Sequence, residues 1–453
     1  MNSGKDSVRL APPPVPAIAR SVIEPTSPLQ IAEYRRFWMA RFLAVFSTLS
    51  MVVLLVYQVY DVARADYGMG PRDAAFMLGL LGAAQFVPLF LLTPLAGVAA
   101  DRFDRRLVVM FANGIDGAIA LVLALATWSD SLTLPLLFAL GAGHGAARVF
   151  NGPALSAIAP NIVPPRLLPK AIALSSIAWQ VGTVIGPAAG GLLFAWSPSL
   201  PYFLSAGLLV GSGLLIATIP PIRARHEGPP VHPLRQMVEG FQFVRRERFL
   251  LGCITLDLFA VLLGGATAML PVFARDILQV GPEGLGLMRG APAVGAAVVA
   301  AWLAWRPFEQ NVGEKMLWAV VVFGAATVAF ALSRDFLLSL ALLAVLGAAD
   351  MISVFIRSSL VQLNTPDNKR GRVSAISGLA ISASNELGEL RAGLFAAVMG
   401  ATAAVAVGGA GAIVVTALWA WIFPELRRAR TFAPKYLHED DHLPENAVKE
   451  PAP

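Results

Sequence analysis

Charge is scarce in this chain. Only 14% of its 453 residues are Asp, Glu, Lys or Arg, while 56% are hydrophobic; soluble domains carry about 25% charged residues. That shortage excludes a water-soluble globule and marks an integral membrane protein. Cysteine is almost absent: Cys253 stands alone, so no internal disulfide forms and an inert thiol is expected. Histidine is equally sparse. Four of the five, His226, His232, His438 and His442, fall in loops or tails, and no H-E-x-x-H pair occurs. Metal or nucleophile chemistry therefore lacks its constellation, which argues against an embedded enzyme, and no cofactor or metal is expected. No G-x-x-x-x-G-K-[ST] loop is present, which removes ATP as an energy source within the chain. The formal charge of +6 would suit nucleic acid. In so apolar a chain, however, membrane topology explains the basic loops, and no nucleic-acid partner is expected. The first 30 residues are polar and proline-rich, without the charged-then-apolar order of a cleaved signal.

Long apolar runs fill the rest. Twelve are predicted to span a bilayer as helices, at about 37–60, 74–99, 107–128, 132–152, 170–195, 200–220, 249–274, 284–305, 315–332, 336–363, 372–398 and 402–423, each near the roughly 20 residues that a crossing needs. An even count puts both termini on one side. The termini and even-numbered loops hold 26 of the 35 Lys and Arg residues and the odd-numbered loops hold 4, with 5 inside spans. Positive charge stays with the cytoplasm, so both termini are predicted to be cytoplasmic in a multi-pass cell-membrane protein. The chain divides into a disordered cytoplasmic tail at 1–36, a six-helix bundle at 37–220, a cytoplasmic linker at 221–248, a second bundle at 249–423 and a cytoplasmic tail at 424–453. Within the linker, Leu234, Met237, Val238, Phe241 and Val244 recur at helical spacing against Arg235, Gln236, Glu239, Arg245 and Arg246, the pattern of an interfacial helix. A faint repeat relates the halves. Val149, Phe150 and Leu155 recur as Val354, Phe355 and Leu360, and Gly186 and Gly191 as Gly388 and Gly393. Many secondary transporters are built so, with the substrate between the halves.

The connection Gly97–Arg106 reads GVAADRFDRR, a short charged loop between two spans. It resembles the signature loop of the major facilitator superfamily, with Gly97, Asp101, Arg102, Arg105 and Arg106 in register and Asp104 where the pattern has glycine. Span five carries Gly182-x-x-x-Gly186-Pro187-x-x-Gly190-Gly191, similar to the glycine-proline motif of that superfamily's antiporters and exporters. Ala173 stands at its first glycine, and the span-four arginine of drug antiporters falls at Gly141. Ala173–Gln180, and Arg370–Ser374 with Ser384–Glu389, resemble the enterobactin-exporter-like branch, also called transmembrane secretion effectors. The resemblance covers about Tyr34 to Arg427. It implies an all-α integral membrane protein of the major facilitator fold, with twelve helices in two pseudo-symmetric halves. It also implies a latch in which Asp101, aided by Arg102 and Arg105, meets the N-terminus of span eleven in the outward-open state, and a span-five contact that seals the cavity. From the residues alone, the loop charges can simply set topology, the reading preferred for Arg106, and the glycines can simply allow close packing beside a bend at Pro187.

Ionisable groups inside spans are functional candidates. Asp116 lies about 14 Å into span three, and Asp350 and Glu386 about 21 Å along spans ten and eleven. Glu389 shares the face of Glu386, Arg357 sits two turns from Asp350 on one face, and His144 and Arg148 are one turn apart in span four. Arg41 and Arg289 are close enough to helix ends to snorkel. Two readings stand for these groups: a carboxylate that takes up and releases a proton, or permanent ion pairing that includes Arg357 or Arg391. His144 is a candidate relay or a packed neutral ring. Trp179, Gln180 and Asn385 are candidates to line a substrate cavity.

These readings converge on a secondary active transporter that exports a small amphipathic molecule, siderophore- or drug-like, by proton antiport and alternating access. Its partners are that small molecule, protons and the lipid bilayer, and the chain is expected to be a monomer. Proton-coupled uptake and a transporter-like sensor or docking protein remain the alternatives.

Overall fold

The computed structural model describes residues 25–222, 233–306, 308 and 310–432; the outer parts of both predicted tails and most of the first half of the linker lie outside them. Six long helices come first: α1 (Ala32–Ala65), α2 (Pro71–Arg102), α3 (Arg105–Trp128), α4 (Leu134–Ile162), α5 (Leu168–Trp196) and α6 (Leu200–Ala217). A linker helix, α7 (Pro233–Arg246), leads to α8 (Arg248–Gly264) and the short α9 (Leu270–Val272), and then to α10 (Gly281–Trp305), α11 (Val312–Leu332), α12 (Phe336–Leu363), α13 (Asp367–Met399), α14 (Ala401–Ile422) and α15 (Pro424–Arg428). Proline within the first two positions opens α2, α4, α5, α6 and α10, where its missing N–H costs nothing and its fixed φ suits the helix. Asp335 caps α12 by accepting from Leu338 N at 2.7 Å. Gly400, at φ +84°, makes the one-residue turn between α13 and α14.

Ten segments are long and apolar enough to cross a membrane by themselves, and α4 and α13, which carry much of the interior polarity, complete twelve crossings. Most helix ends differ from expectation by a few residues, and two spans differ by more. Span four runs ten residues further, to Ile162, because Ala154, Leu155, Ile158 and Ala159 continue a buried helical stripe beyond the polar Asn151. Span seven is not continuous. It stops at Gly264, passes through a 3-10 turn at Thr267–Met269 and α9, and ends in a π turn at Phe273–Ile277. Gly264 and Gly265 carry no side chains to stabilise the helix, and Pro271 removes a backbone donor.

The apolar core is distributed unevenly. On the face from which the two ends of the chain emerge, the tail side, it is split: one cluster joins Tyr34, Phe37, Ile158 and Ile216 of the first half, and another joins Leu250, Met316, Ile356 and Leu426 of the second. On the far side a single cluster runs through both halves, from Leu54 and Tyr60 to Met269, Phe273, Phe330 and Ala396. The apolar core is thus shared by the halves on the far side and divided between them on the tail side.

The two halves meet along α2–α13 and α5–α10. A Cβ added at Gly79 would stand 3.0 Å from Gly393 Cα, and one at Gly191 would stand 3.0 Å from Gly286 Cα. Within the halves, a Cβ at Gly186 would meet Phe46 O of α1 at 2.7 Å, and one at Gly388 would meet Val261 O of α8 at 3.2 Å. The repeat seen in the sequence thus has a physical meaning. The first glycine of each pair lets the first helix of its own half approach, and the second lets a helix of the other half approach.

The linker helix packs against the second half. Val238 and Phe241 are exposed, but Val244 is buried among α8 residues. Glu239 pairs with Arg372 of α13 at 2.8 Å, and the Lys369 ammonium sits 4.3 Å from the Phe243 ring centroid. The side chains of Leu234 and Met237 lie outside the described residues.

A charged interior shared by the two halves

Three charged clusters stand in the interior among the described residues. In the first half, α3 and α4 bring Asp116 and His144 together, Oδ1 to Nδ1 at 2.6 Å, and each side chain is 1% exposed. Thr48 of α1 donates to the other carboxylate oxygen at 3.4 Å. Beside them Asn151 donates to Asn113, Asn113 to Ser212 and Ser212 to the Ala40 carbonyl.

The second cluster crosses between the halves. Arg148, one helical turn from His144 on α4, forms an ion pair and hydrogen bond with Glu386 of α13, which is 7% exposed. Glu389, three residues on, backs onto α2: its Oε2 lies 3.4 Å from where a Cβ at Gly82 would stand. Arg289 of α10 does not snorkel to a helix end. It donates to Thr267 O at 3.1 Å, at the break in span seven, and lies within electrostatic range of Glu389.

The third cluster belongs to the second half alone. Arg357 of α12 pairs with Asp257 of α8, not with Asp350 as the spacing on α12 suggests, and both partners are buried. Asp350 and Ser353 face the same small cavity, about 10 Å³, lined also by Ala260, Val261, Val320 and Phe323. Asp257 is the functional candidate that sequence reasoning overlooked. The signal was present, since it is the lone carboxylate in the run Phe249–Gly264.

The remaining candidates are more dispersed. Gly182, Gly186 and Gly190 pack against Val45, Phe46 and Ser50 of α1, inside the first half, while Pro187 O and Gly191 meet Gly286 across the seam. Gln180 donates to Ala293 O of α10 at 3.2 Å, so it bridges the halves. Trp179 is half exposed and Asn385 is exposed. Arg391 lies over the Phe395 ring, 5.1 Å from its centroid, beside Gly408 of α14.

In the loop motif, the Asp101 side chain lies outside the described residues. Arg102 is exposed, Arg105 is half-buried, and nothing crowds Gly97. Asp104 caps α3 by accepting from Arg106 N at 3.0 Å, at an ordinary φ of −58°. No glycine is needed there. Arg106 grips Asp104 at 2.7 Å and donates to Ile219 O at the end of α6, so its role exceeds the topology expected of it. Burial alone would raise the Asp104 carboxyl, but the Arg106 guanidinium and N–H hold it below the usual carboxylate range.

The far side is closed by ions that the sequence reading assigned to loops and span ends. Tyr60 donates to Asp276 at 2.5 Å, Arg64 approaches the same carboxylate at 3.6 Å, and Arg275 pairs with Asp61 at 2.7 Å. The π turn after α9 carries both Arg275 and Asp276 to the end of α1.

Comparison with known proteins agrees with this architecture. The chain is 26% identical to the enterobactin exporter EntS of Shigella boydii serotype 18 over 416 residues, 90% of this chain and 95% of that one. It is 25% identical to the EntS protein of Escherichia coli O1:K1 / APEC over the same shares. Among solved structures, a point mutant of the nucleoside transporter NupG superposes with a TM-score of 0.68 at 13% identity, covering 86% of this chain and all of that one. A point mutant of the peptide transporter POT gives 0.68 at 13% identity over 90% of this chain and all of that one. A bacterial homolog of the human lysosomal transporter Spinster, inward-facing and occupied, gives 0.65 at 14% identity over 89% of this chain and 97% of that one. The family of transmembrane secretion effectors matches residues 23–451. With twelve helices, glycine-closed seams and a charged interior reached from both halves, the chain is a multi-pass membrane transporter, not an enzyme, and belongs to the transmembrane secretion effector family of the major facilitator superfamily.

Proposed function

We propose that this transporter exports a small amphipathic organic molecule of the siderophore type by proton antiport, through alternating access of the space between its halves. One observation carries the reading: Arg148 of the first half clasps Glu386 of the second, with Glu389 a turn away. A carboxylate that leaves a cation in one conformation and regains it in another has two proton affinities, which is what coupling requires. The relatives named as enterobactin exporters support the direction and the ligand class. The charge asymmetry of the loops supports a cytoplasmic tail side, so the face with the divided core is the one that receives cargo from inside. Glu386 and Glu389 are the coupling groups in this proposal, Asp350 is a reserve site beside the Asp257–Arg357 pair, and Trp179, Gln180 and Asn385 are cavity contacts. Asp101 acts as the tail-side latch with Arg102 and Arg105.

The test is transport in vesicles with an imposed pH gradient, using enterobactin as the probe. Substrate should move against the proton gradient, and Glu386→Gln should abolish that movement while protein still reaches the membrane. Undiminished coupled transport in Glu386→Gln would remove that residue, and movement with the proton gradient would convert the reading to uptake.

A further inference from the structure

The Asp116–His144 pair is the one interior cluster to which the coupling scheme gives no task, and its geometry is unusual. Both side chains are 1% exposed. His144 spends Nδ1 on Asp116, and its Nε2 is buried without a hydrogen-bond partner. Such an orphaned ring nitrogen costs stability, and an Asp–His pair holds or lacks one proton as a unit. With the proton the pair is neutral overall; without it, the pair carries one negative charge in a low-dielectric interior. Among the described residues, Thr48 of α1 is its side-chain hydrogen-bond partner from another helix, and the buried polar residues on the neighbouring helices, Ser47 and Ser50 of α1, Gln85 of α2, Asn113 of α3 and Ser212 of α6, are uncharged. Arg41 lies nearly two turns before Thr48 on α1. The nearest cation along α4 is Arg148, one turn away, and Arg148 is the residue that reaches across to Glu386.

We propose that the buried Asp116–His144 pair is a proton-holding site that governs whether Arg148 clasps Glu386 across the two halves. When the pair holds its proton, nothing in the first half competes for Arg148 and the clasp stays closed, which favours the arrangement seen here, with the apolar core shared on the far side and divided on the tail side. When the proton leaves, the negative pair attracts Arg148 back along α4, the clasp loosens and the far side is freed to open. His144 and Asp116 are positioning residues: they act through Arg148. The inference rests on the transport reading for its purpose, but its test needs neither substrate nor gradient.

The experiment measures the distance between spin labels on the tail-side ends of the halves, at Lys170→Cys and Gln362→Cys in a Cys253→Ser background, in lipid nanodiscs between about pH 5.5 and 8.5, the interval in which histidine pairs commonly titrate. The wild-type pair should shift several-fold from the long tail-side distance at low pH towards a shorter one at high pH. His144→Gln should flatten that curve, and Asp116→Asn should flatten it independently. A full response persisting in both His144→Gln and Asp116→Asn, or a wild-type distance that ignores pH, would overturn the proposal. Failure of proton-driven export in vesicles with an intact His144-dependent distance change would refute the antiport reading alone.

Discussion

The α2–α13 and α5–α10 seams occupy equivalent places in the internal repeat, and each is closed by a glycine pair, Gly79 with Gly393 and Gly286 with Gly191. Their surroundings differ. Glu389 leans on Gly82 beside the first seam, and Glu386 of the same helix holds Arg148. At the second, the polar crossing is one neutral hydrogen bond from Gln180 to Ala293 O. Backbone shape has been kept at both seams, because two helices that must approach closely need small residues wherever they stand. An ion pair stands beside one of them. The two seams are thus alike in backbone packing and unlike in charge.

The comparison can be broken by perturbing its parts in turn. The largest effect is expected away from either seam, as a reference for what a wholly buried ion pair is worth. Arg357→Met strands Asp257 without its cation and should cost about 3–5 kcal/mol; thermal unfolding in detergent would show it, and Asp257→Leu combined with Arg357→Met should recover most of the loss. Next come Gly79→Leu and Gly286→Leu, each of which drives a side chain into backbone and should cost about 1–3 kcal/mol. Similar losses in the two variants would confirm that the seams are mechanically alike, and tolerance at one alone would end the comparison. Asp104→Ala removes the cap of α3 and should cost about 1 kcal/mol. Its folded carboxyl is held below the usual range, so its contribution is present above the unfolded value and disappears as pH falls through the folded one. In Asp104→Asn that acid-side loss should vanish from a stability–pH curve. The smallest effect is Gln180→Leu, about 0.6 kcal/mol for one hydrogen bond between membrane helices. A much larger loss would give the neutral seam an importance that the charge argument denies it.

Much of the fold was legible because bilayer thickness imposes a length on apolar runs and the loops carry the charge bias. The equivalence of Gly186–Gly191 and Gly388–Gly393 was legible for a similar reason: close approach tolerates almost nothing but glycine. The break in span seven was not, since Gly264, Gly265 and Pro271 sit in a run whose hydropathy never falters, and hydropathy does not register hydrogen bonds. Asp257 was visible as a residue but not as a partner. Its pairing with Arg357 links helices about 100 positions apart in the chain, a relation no local spacing encodes. Arg289 was misjudged because its distance from a helix end was known and the carbonyl of Thr267 beside it was not.

Composition and periodicity alone determined that the chain crosses the membrane twelve times, with few charges in its interior, since burying a charge is so costly that each one stands out. Only the tertiary structure decided which charges meet. It set Arg148 against Glu386, Arg357 against Asp257 and His144 against Asp116, and it fused the core on one face while parting it on the other. The physical reason is range: hydrophobic patterning is read a few residues at a time, whereas an ion pair in a low-dielectric interior depends on a few ångströms between groups that the sequence holds far apart.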